Sequence, residues 1–239
     1  MKPLIGYRNI GRNANAFSAP DVANLFSGLT YDGWQSGFGG FQTLSFTTSN
    51  QSANYFAVAN HNLSGTVQLY VNGVLRGQKL VTSNSPFIAT FGQVTGTSWE
   101  LRINQATPAY LNILNVGRIL ELERGVWNGH APMTLNRSNR YINNMSDSGQ
   151  LLGRKLISEG ATGQISIANL SSDWVRDEWD LFTNDAERYG FFWQHNPSQY
   201  PDEVAYCWTT GDPRVTNSGV GGVDNKGRMS AELSVRGIV

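Results

Sequence analysis

Strict alternation of apolar and polar residues recurs along the chain and limits its possible folds more than any other feature. In TVQLYV, Val67, Leu69 and Val71 point to one side and the intervening residues to the other, as in a strand that is buried on one face. Asn72-Gly73 follows directly and favours a type I′ turn, because both residues tolerate a positive φ. The returning strand is then VLRGQKLV. The same alternation is found in WELRIN, GQISIANL, VAYCWTT and MSAELSV. We therefore predict a mainly β fold of many short strands.

One segment, at about residues 171–189, has the period of a helix instead. Ser171 or Ser172 is suited to cap its start, and Gly190 is suited to end it. Apolar residues recur in steps of four and three, which places them in one stripe; they are Val175, Trp179, Phe182, Ala186 and Tyr189. We predict a single amphipathic helix that packs on a sheet through this stripe.

The pattern changes near residues 115–128, where a run of short strands gives way to strands, the helix and further strands. We expect two units, residues 1–117 and residues 118–239. Two glycine-rich stretches, GFGGF at 37–41 and TNSGVGGVDNKG at 216–227, are predicted to be loops. The segment from Gly211 to Gly227 has few apolar groups to fix it, so we expect it to be mobile until a neighbouring protein orders it.

The composition excludes several classes of function. With 18 basic and 18 acidic residues, the chain has no net field to attract nucleic acid or an anionic membrane. No run of about 18 apolar residues occurs, so no direct membrane insertion is predicted. The single cysteine, Cys207, excludes a disulfide framework and a Cys-rich metal site. The N-terminal MKPLIGYRNIGRN lacks the apolar stretch of a signal peptide, so we expect synthesis in the cytoplasm.

The three histidines give no sequence evidence for catalysis. His61 lies in NYFAVANHNLSG between two predicted strands, where asparagines and Ser-Gly are typical of a turn. We favour a turn role over ligand contact, and both over catalysis, because no nucleophile elbow or acid adjoins His61. His130 and His195 are isolated in the sequence, and no pair of histidines has zinc-ligand spacing.

Paired carboxylates are the remaining candidates for chemistry. Glu121 and Glu123 in RILELERG share one strand face, and such a pair can serve glycoside hydrolysis. Their interleaving with arginines favours ion-paired surface residues instead. The glycine-rich stretches match neither a phosphate-binding loop nor a calcium loop. We predict no catalytic residue, no metal site and no cofactor.

Trp34 is the aromatic residue whose setting leaves two roles open. It lies in YDGWQSGFGGF, which has the composition of a loop. An exposed tryptophan there can stack on a sugar ring or seal a protein interface. Core packing is the alternative.

The two halves of the chain each resemble components of phage tails. The first half, with DGWQS, NYFAVANHNLSG-TVQLYVNG, TSWELRI and LNILNVGRILEL, resembles a jelly-roll module of the galactose-binding or carbohydrate-binding kind found in tail proteins of bacterial viruses. There, a strand with a tyrosine runs into a His-Asn-Leu turn, as Tyr55 to Leu63 does here. The second half resembles distal-tail adaptor proteins of long, flexible-tailed phages, with an amphipathic helix, then EVAYCWTT, then AELSVRGIV.

The resemblance implies a non-enzymatic structural protein of the virion tail, made in the host bacterial cytoplasm. A jelly-roll-like β-sandwich over residues 1–117 would precede a tail-adaptor-like β-sandwich or barrel over 118–239. It implies a homo-oligomeric ring, expected to be a hexamer, in contact with other tail proteins (tube, hub, fibre or tape measure). The alternative is a carbohydrate-binding module that contacts host surface glycans; a glycan hydrolase is a third possibility. Candidate interaction residues are Trp34, Tyr55, His61, Asn62, Arg214, Lys226 and Arg228.

Overall fold

The computed structural model describes residues 2–126, 130–220 and 227–239. It contains two antiparallel seven-stranded sheets, a separate two-stranded hairpin and one larger helical segment. The prediction of a mainly β fold with sandwich character and one amphipathic helix is therefore confirmed. The first strand, β1 (Leu4–Gly6), belongs to the second sheet.

The first sheet is built from the N-terminal half. Its strands are β2 (Ala16–Phe17), β3 (Trp34–Gln35), β4 (Gly40–His61), β5 (Gly65–Val71), β6 (Val74–Val81), β7 (Phe87–Gln105) and β8 (Tyr110–Gly117). Their order is β3-β8-β4-β7-β5-β6, with β2 paired to β4. A 3₁₀ turn (Ile10–Asn13) and helix α1 (Pro20–Asn24) precede β3.

The predicted hairpin turn between β5 and β6 is present. Asn72 and Gly73 have φ values of 49° and 78°, as a type I′ turn requires. The side-chain oxygen of Asn72 also accepts a hydrogen bond from the N–H of Ser98 at 3.0 Å, which ties the turn to β7. The strands of this sheet enclose one apolar core, which includes Phe46, Phe56, Leu69, Trp99 and Leu111.

The second sheet contains β1, β9 (Leu120–Glu121), β12 (Ala161–Ser171), β13 (Phe191–Gln194), β14 (Val204–Thr209), β15 (Arg214–Val220) and β16 (Gly227–Ile238). Its order is β12-β16-β14-β13-β1-β9, with β15 paired to β16. Strands β10 (Arg140–Met145) and β11 (Leu151–Ser158) form the separate hairpin, and a 3₁₀ turn (Met133–Leu135) precedes it.

The helical segment has three parts: α2 (Ser172–Trp174), a π-helical turn (Val175–Trp179) and α3 (Asp180–Ala186). Ser171 caps its start by accepting a hydrogen bond from the N–H of Trp174 at 3.3 Å. Four residues of the predicted stripe are buried in a core shared with the second sheet, namely Val175, Trp179, Phe182 and Ala186.

Tyr189 was predicted to be the fifth member of that stripe, and this prediction is wrong. The helix ends at Ala186, so the ring of Tyr189 leaves the buried face and is 37% exposed. The guanidinium of Arg12 lies 3.7 Å above the centre of this ring. The same guanidinium contacts both carboxylate oxygens of Asp185, at 3.0 and 3.1 Å.

Helix, second sheet and first sheet form three layers. On β13 and β14, alternate residues such as Phe191 and Cys207 face the helix. The residues between them, including Phe192 and Tyr206, pack against Tyr55 and its neighbours on the first sheet. The middle layer is therefore buried on both faces.

The two stretches predicted as loops are partly strand. Residues 37–39 form a bend, but Gly40 already begins β4. In the longer stretch, Arg214–Val220 is β15, which pairs with β16 from Arg214–Glu232 to Val220–Gly227. Backbone pairing to β16 overrides the turn-like composition, and the chain accommodates it with a register shift between Asn217 and Gly219. Residues 221–226 lie outside the described residues.

Candidate functional site

Strands β10 and β11 form a hairpin, residues 140–158, that we call the arm. Within the described chain these two strands pair only with each other. The turn between them is closed by a hydrogen bond from the N–H of Ser146 to the carbonyl of Gln150 at 2.8 Å. At the base, the N–H of Ser138 donates to the carbonyl of Gly160 at 2.7 Å. The arm thus has a closed tip and an anchored base, while its length is unpartnered.

Apolar side chains cover both faces of the arm. Except for Ser158, every residue of its two strands is exposed. Tyr141 lies opposite Leu156, and the next pair, Ile142 opposite Lys155, points to the other face. The exposed apolar residues of the arm are Tyr141, Ile142, Met145, Leu151, Leu152, Leu156 and Ile157.

This exposed apolar surface is unusual for a protein that remains monomeric. A two-stranded hairpin without a third strand or a packed face is marginally stable in water. Contiguous exposed apolar patches on soluble proteins mark interaction sites. Both edges of the arm also present free backbone groups for pairing. The arm is therefore the best candidate for a functional surface.

The arm also carries an excess of positive charge. It contains the cations Arg140, Arg154 and Lys155, against the single carboxylate of Asp147. The guanidinium of Arg154 lies 3.6 Å above the ring of Tyr141. Within the described residues, none of the three cations forms an ion pair. A partner for this surface should be apolar and acidic.

The arm was not predicted from the sequence, although the sequence contains a signal for it. Leu151-Leu152 and Leu156-Ile157 are adjacent apolar pairs, and adjacent strand residues point to opposite faces. A half-buried strand would have alternated. Apolar pairs in an otherwise polar segment indicate a strand that is to be covered on both sides.

A cavity of about 480 Å³ lies at the base of the arm. It is lined by Ser85, in the connection between β6 and β7, by residues that precede and follow the arm, and by the C-terminal end of β16. The hydroxyl of Thr134 is buried there without a hydrogen-bond partner in the described chain. The lining residues are Ser85, Thr134, Arg137, Asn139, Glu159, Gly160, Ile238 and Val239.

Two of the aromatic candidates lie in the interior. Trp34 is 9% exposed and belongs to the core of the first sheet, which corrects the expectation of a loop setting. Tyr55 is fully buried between the sheets. Its hydroxyl donates to the carbonyl of Arg8 at 2.7 Å, and burial raises the pKa of this hydroxyl well above its usual range. Neither ring is available to a ligand.

His61 holds a turn. Its Nδ1 accepts a hydrogen bond from the N–H of Leu63 at 3.0 Å, so the ring proton is on Nε2, which donates to the carbonyl of Ser85 at 3.1 Å. The ring packs edge-on against Phe87. Burial lowers the pKa of His61 and outweighs the opposing contact with Ser85. This histidine is neutral and structural.

The polar candidates are dispersed. Asn62 accepts a hydrogen bond from the N–H of Tyr110 at 2.7 Å and donates to the carbonyl of Pro108 at 2.9 Å, so it serves the same turn as His61. Arg214 and Arg228 lie on β15 and β16 of the second sheet. Lys226 lies outside the described residues. The structure does not bring these arginines together with the candidates of the first sheet.

The two carboxylates considered for hydrolysis have structural partners. Glu121 lies 3.7 Å from the ammonium of Lys2. Glu123 accepts a hydrogen bond from the N–H of Ser171 at 2.7 Å, where the helical segment begins. Leu122, between them, is fully buried.

Folding brings together two histidines that are distant in the sequence. The ring centres of His130 and His195 are 5.3 Å apart, and Nδ1 of His195 lies 3.6 Å from Glu203. Burial lowers the pKa of both; His195 adds to this effect on His130, whereas Glu203 opposes it on His195. Spacing along the chain gave no signal for this cluster.

No group of three or more His, Cys, Asp or Glu side chains among the described residues is arranged to hold a metal ion. In the same ranges, no helix has the length and apolar character needed to cross a membrane.

The chain shows little similarity to known proteins. No family model matches the chain, and no curated protein matches it. Among solved structures, one similar chain is SpGH29, at 15% sequence identity and a TM-score of 0.39. The similar region covers 46% of this chain and 28% of SpGH29. A similarity of this size carries no argument about fold or function.

Proposed function

We propose that this chain is a structural subunit of a phage tail tip, where it forms a homo-oligomeric ring that connects the tail tube to the hub and host-recognition apparatus. The observation that carries the proposal is the arm. A ring subunit must expose in isolation the surface that it buries on assembly. An anchored hairpin with apolar side chains on both faces fits that requirement.

Composition and sequence resemblance support the same proposal. Only 15% of the residues are charged, which suits a surface that is desolvated in an assembly. Along the chain, the helical segment precedes the aromatic strand β14 and the closing strand β16. The distal-tail proteins that the second half resembles have these elements in the same order. In this role the chain acts without catalysis.

The first test is the mass of the purified chain by light scattering. We expect a single oligomer, six copies being the expected number, and ring-shaped particles in electron micrographs. A monomer at every protein concentration would contradict the proposal.

A matched pair of variants separates the arm from general surface effects. Leu152 on the arm is 63% exposed, and Leu80 on β6 is 64% exposed. Leu152→Ser should weaken oligomer formation, because it removes apolar area that is buried on assembly. Leu80→Ser, which removes the same side chain at the same exposure, should leave the oligomer unchanged.

The location in the virion needs its own experiment. Phage particles from the genome that encodes this chain can be labelled with a gold-tagged antibody against it. We expect the label at the tip of the tail. Label on the capsid, or none on any particle, would contradict a tail-tip role even if the purified chain forms rings.

One observation favours the alternative, the binding of a glycan. A cavity of about 400 Å³ lies between the end of the helical segment and the connection before β3. Tyr31, Tyr189 and Trp208 line it, and aromatic faces stack on sugar rings. Glycan-array binding that Tyr31→Ala abolishes, and that Tyr110→Ala on β8 does not, would support this alternative.

A further inference from the structure

We propose that the arm of one copy docks on the exposed face of the helical segment of a second copy. This inference rests on the proposed ring and names the surfaces that form its repeating contact. The receiving surface, which we call the helical strip, consists of the exposed residues Asp177, Asp180, Leu181, Asn184 and Glu187.

The helical strip has the properties that the arm requires of a partner. It is acidic: it contains three carboxylates and no cation, with Arg176 and Arg188 beside it in the sequence. The neighbouring Glu178 and Asp185 do not add to this charge, because they pair with Arg8 and Arg12. In the described residues, Asp177, Asp180 and Glu187 form no ion pair. Leu181 lies among these carboxylates and is 51% exposed, which supplies an apolar contact at the centre of the strip.

The arm is long enough to cover the helical strip. An eight-residue strand such as β11 extends about 27 Å at the usual rise. The helical strip, from Asp177 to Glu187, extends about 16 Å along the helix axis. The arm can therefore cover the whole strip, with Lys155 beside the carboxylates and the face that carries Ile142 on Leu181.

Another exposed apolar surface on the chain is a poorer partner. Val74, Leu75 and Leu80 are exposed on β6, but the same strand carries the cation Arg76, together with Lys79, which pairs with Asp202. Placing the basic arm there would bring like charges together, which opposes association. Charge thus favours the helical strip over β6.

The exposure of both surfaces indicates that the arm docks on a second copy of the chain and not on its own helical strip. Both the arm and the helical strip are exposed within one chain, so neither is covered by the other in the monomer. A contact between two different surfaces on identical copies is head-to-tail, and it closes into a ring or continues as a filament. Repetition of this contact would generate the proposed ring.

Charge reversal tests the contact. Lys155→Glu on the arm and Asp177→Lys on the strip should each weaken self-association by about tenfold or more, measured by light scattering over a dilution series. The variant that carries both changes should recover most of the lost association, because the two charges are exchanged. Arg76→Glu on β6 is the matched control and should change association less than about twofold. Thermal melting of each variant checks that it is folded.

Cross-linking locates the contact directly. Cys207 is buried, and burial raises the pKa of its thiol, so introduced cysteines react without interference. A chain with Asn144→Cys on the arm, mixed with a chain with Asn184→Cys on the strip, should form a disulfide-linked dimer under mild oxidation. The same arm variant mixed with Gln78→Cys on β6 should not.

The outcomes separate the two proposals. If the chain forms an oligomer that is insensitive to Lys155→Glu and gives no arm-to-strip cross-link, the docking is overturned and the ring stands. If the double variant associates no better than the single variants, the pairing of these two charges is overturned. If the unaltered chain is a monomer at all concentrations, both the docking and the ring are overturned.

Discussion

Replacement of Trp179 by alanine tests whether the apolar stripe holds the helical segment on the second sheet. The indole is 1% exposed, and its ring centre lies 5.2 Å from that of Phe182 and 6.3 Å from that of Trp174. Deleting a buried large aromatic side chain costs about 3–5 kcal/mol of folding free energy. That range includes ring contacts of about 0.5–1.5 kcal/mol each.

One effect opposes this loss. Nε1 of Trp179 is buried without a hydrogen-bond partner in the described chain, and such a donor costs about 1–3 kcal/mol. Truncation removes that cost together with the ring. We therefore expect Trp179→Ala to destabilise the fold by about 3 kcal/mol, at the lower end of the range.

Trp99 provides the matched comparison. It is fully buried in the first sheet, and its Nε1 donates to the hydroxyl of Thr48 at 3.0 Å. Trp179→Phe removes an unsatisfied donor, whereas Trp99→Phe leaves the buried hydroxyl of Thr48 without this partner. We expect Trp99→Phe to be the more destabilising substitution, by about 1–3 kcal/mol.

Urea unfolding followed by far-UV circular dichroism measures all three variants, because this signal comes mainly from the backbone, whereas fluorescence would depend on the tryptophans that are removed. Midpoints should be compared at one protein concentration, at which every variant has the same oligomeric state. An unchanged midpoint for Trp179→Ala would refute burial of the stripe. A larger loss for Trp179→Phe than for Trp99→Phe would refute the assignment of an unsatisfied indole donor.

Two further perturbations test the interior. Burial lowers the pKa of all three histidines, so the unfolded chain takes up protons first as pH falls. The free energy of unfolding should be level between about pH 7 and 8 and fall as pH drops below about 6.5. Urea midpoints at a series of pH values measure this, and His61→Asn should weaken the dependence; midpoints that rise as the pH is lowered would contradict it. Gly117→Ala should destabilise by about 1–3 kcal/mol, because a Cβ at Gly117 would meet the backbone carbonyl of Arg8. Gly92→Ala, where nothing lies within 4 Å, should change the urea midpoint little; equal effects of the two would contradict the close approach at Gly117.

Sequence patterns correctly predicted the strands and the helix that are buried on one face only. The hairpin was predicted because Asn72-Gly73 is typical of a tight turn. Strand β5 was predicted because a single buried face gives an alternation of apolar and polar residues. The stripe of the helical segment was predicted as far as Ala186. Tyr189 was misplaced because its side chain contacts Arg12, which is distant in the sequence.

The features that the sequence did not reveal depend on contacts between distant segments. Trp34 is buried because β3 pairs with β8, and the composition around it is that of a loop. His130 and His195 meet only after the second sheet has formed. Turn-rich residues at 214–220 became β15 because β16 supplied hydrogen-bond partners. The arm was missed for a different reason, since no single-faced period describes a hairpin that is exposed on both sides.

The pairing of β1 with β13 sets an order for folding during synthesis. Leu4–Gly6 pairs with residues 192–194, so nearly two hundred residues must be translated before β1 reaches this partner. At about 5–20 residues per second, that interval is roughly 10–40 s. Strands β2 to β8 find all their partners within the first 117 residues and can form during this time. Strand β1 can therefore pair with β9 (Leu120–Glu121) beside a completed first sheet, and β13 adds to its other edge once residues 191–194 have been synthesised.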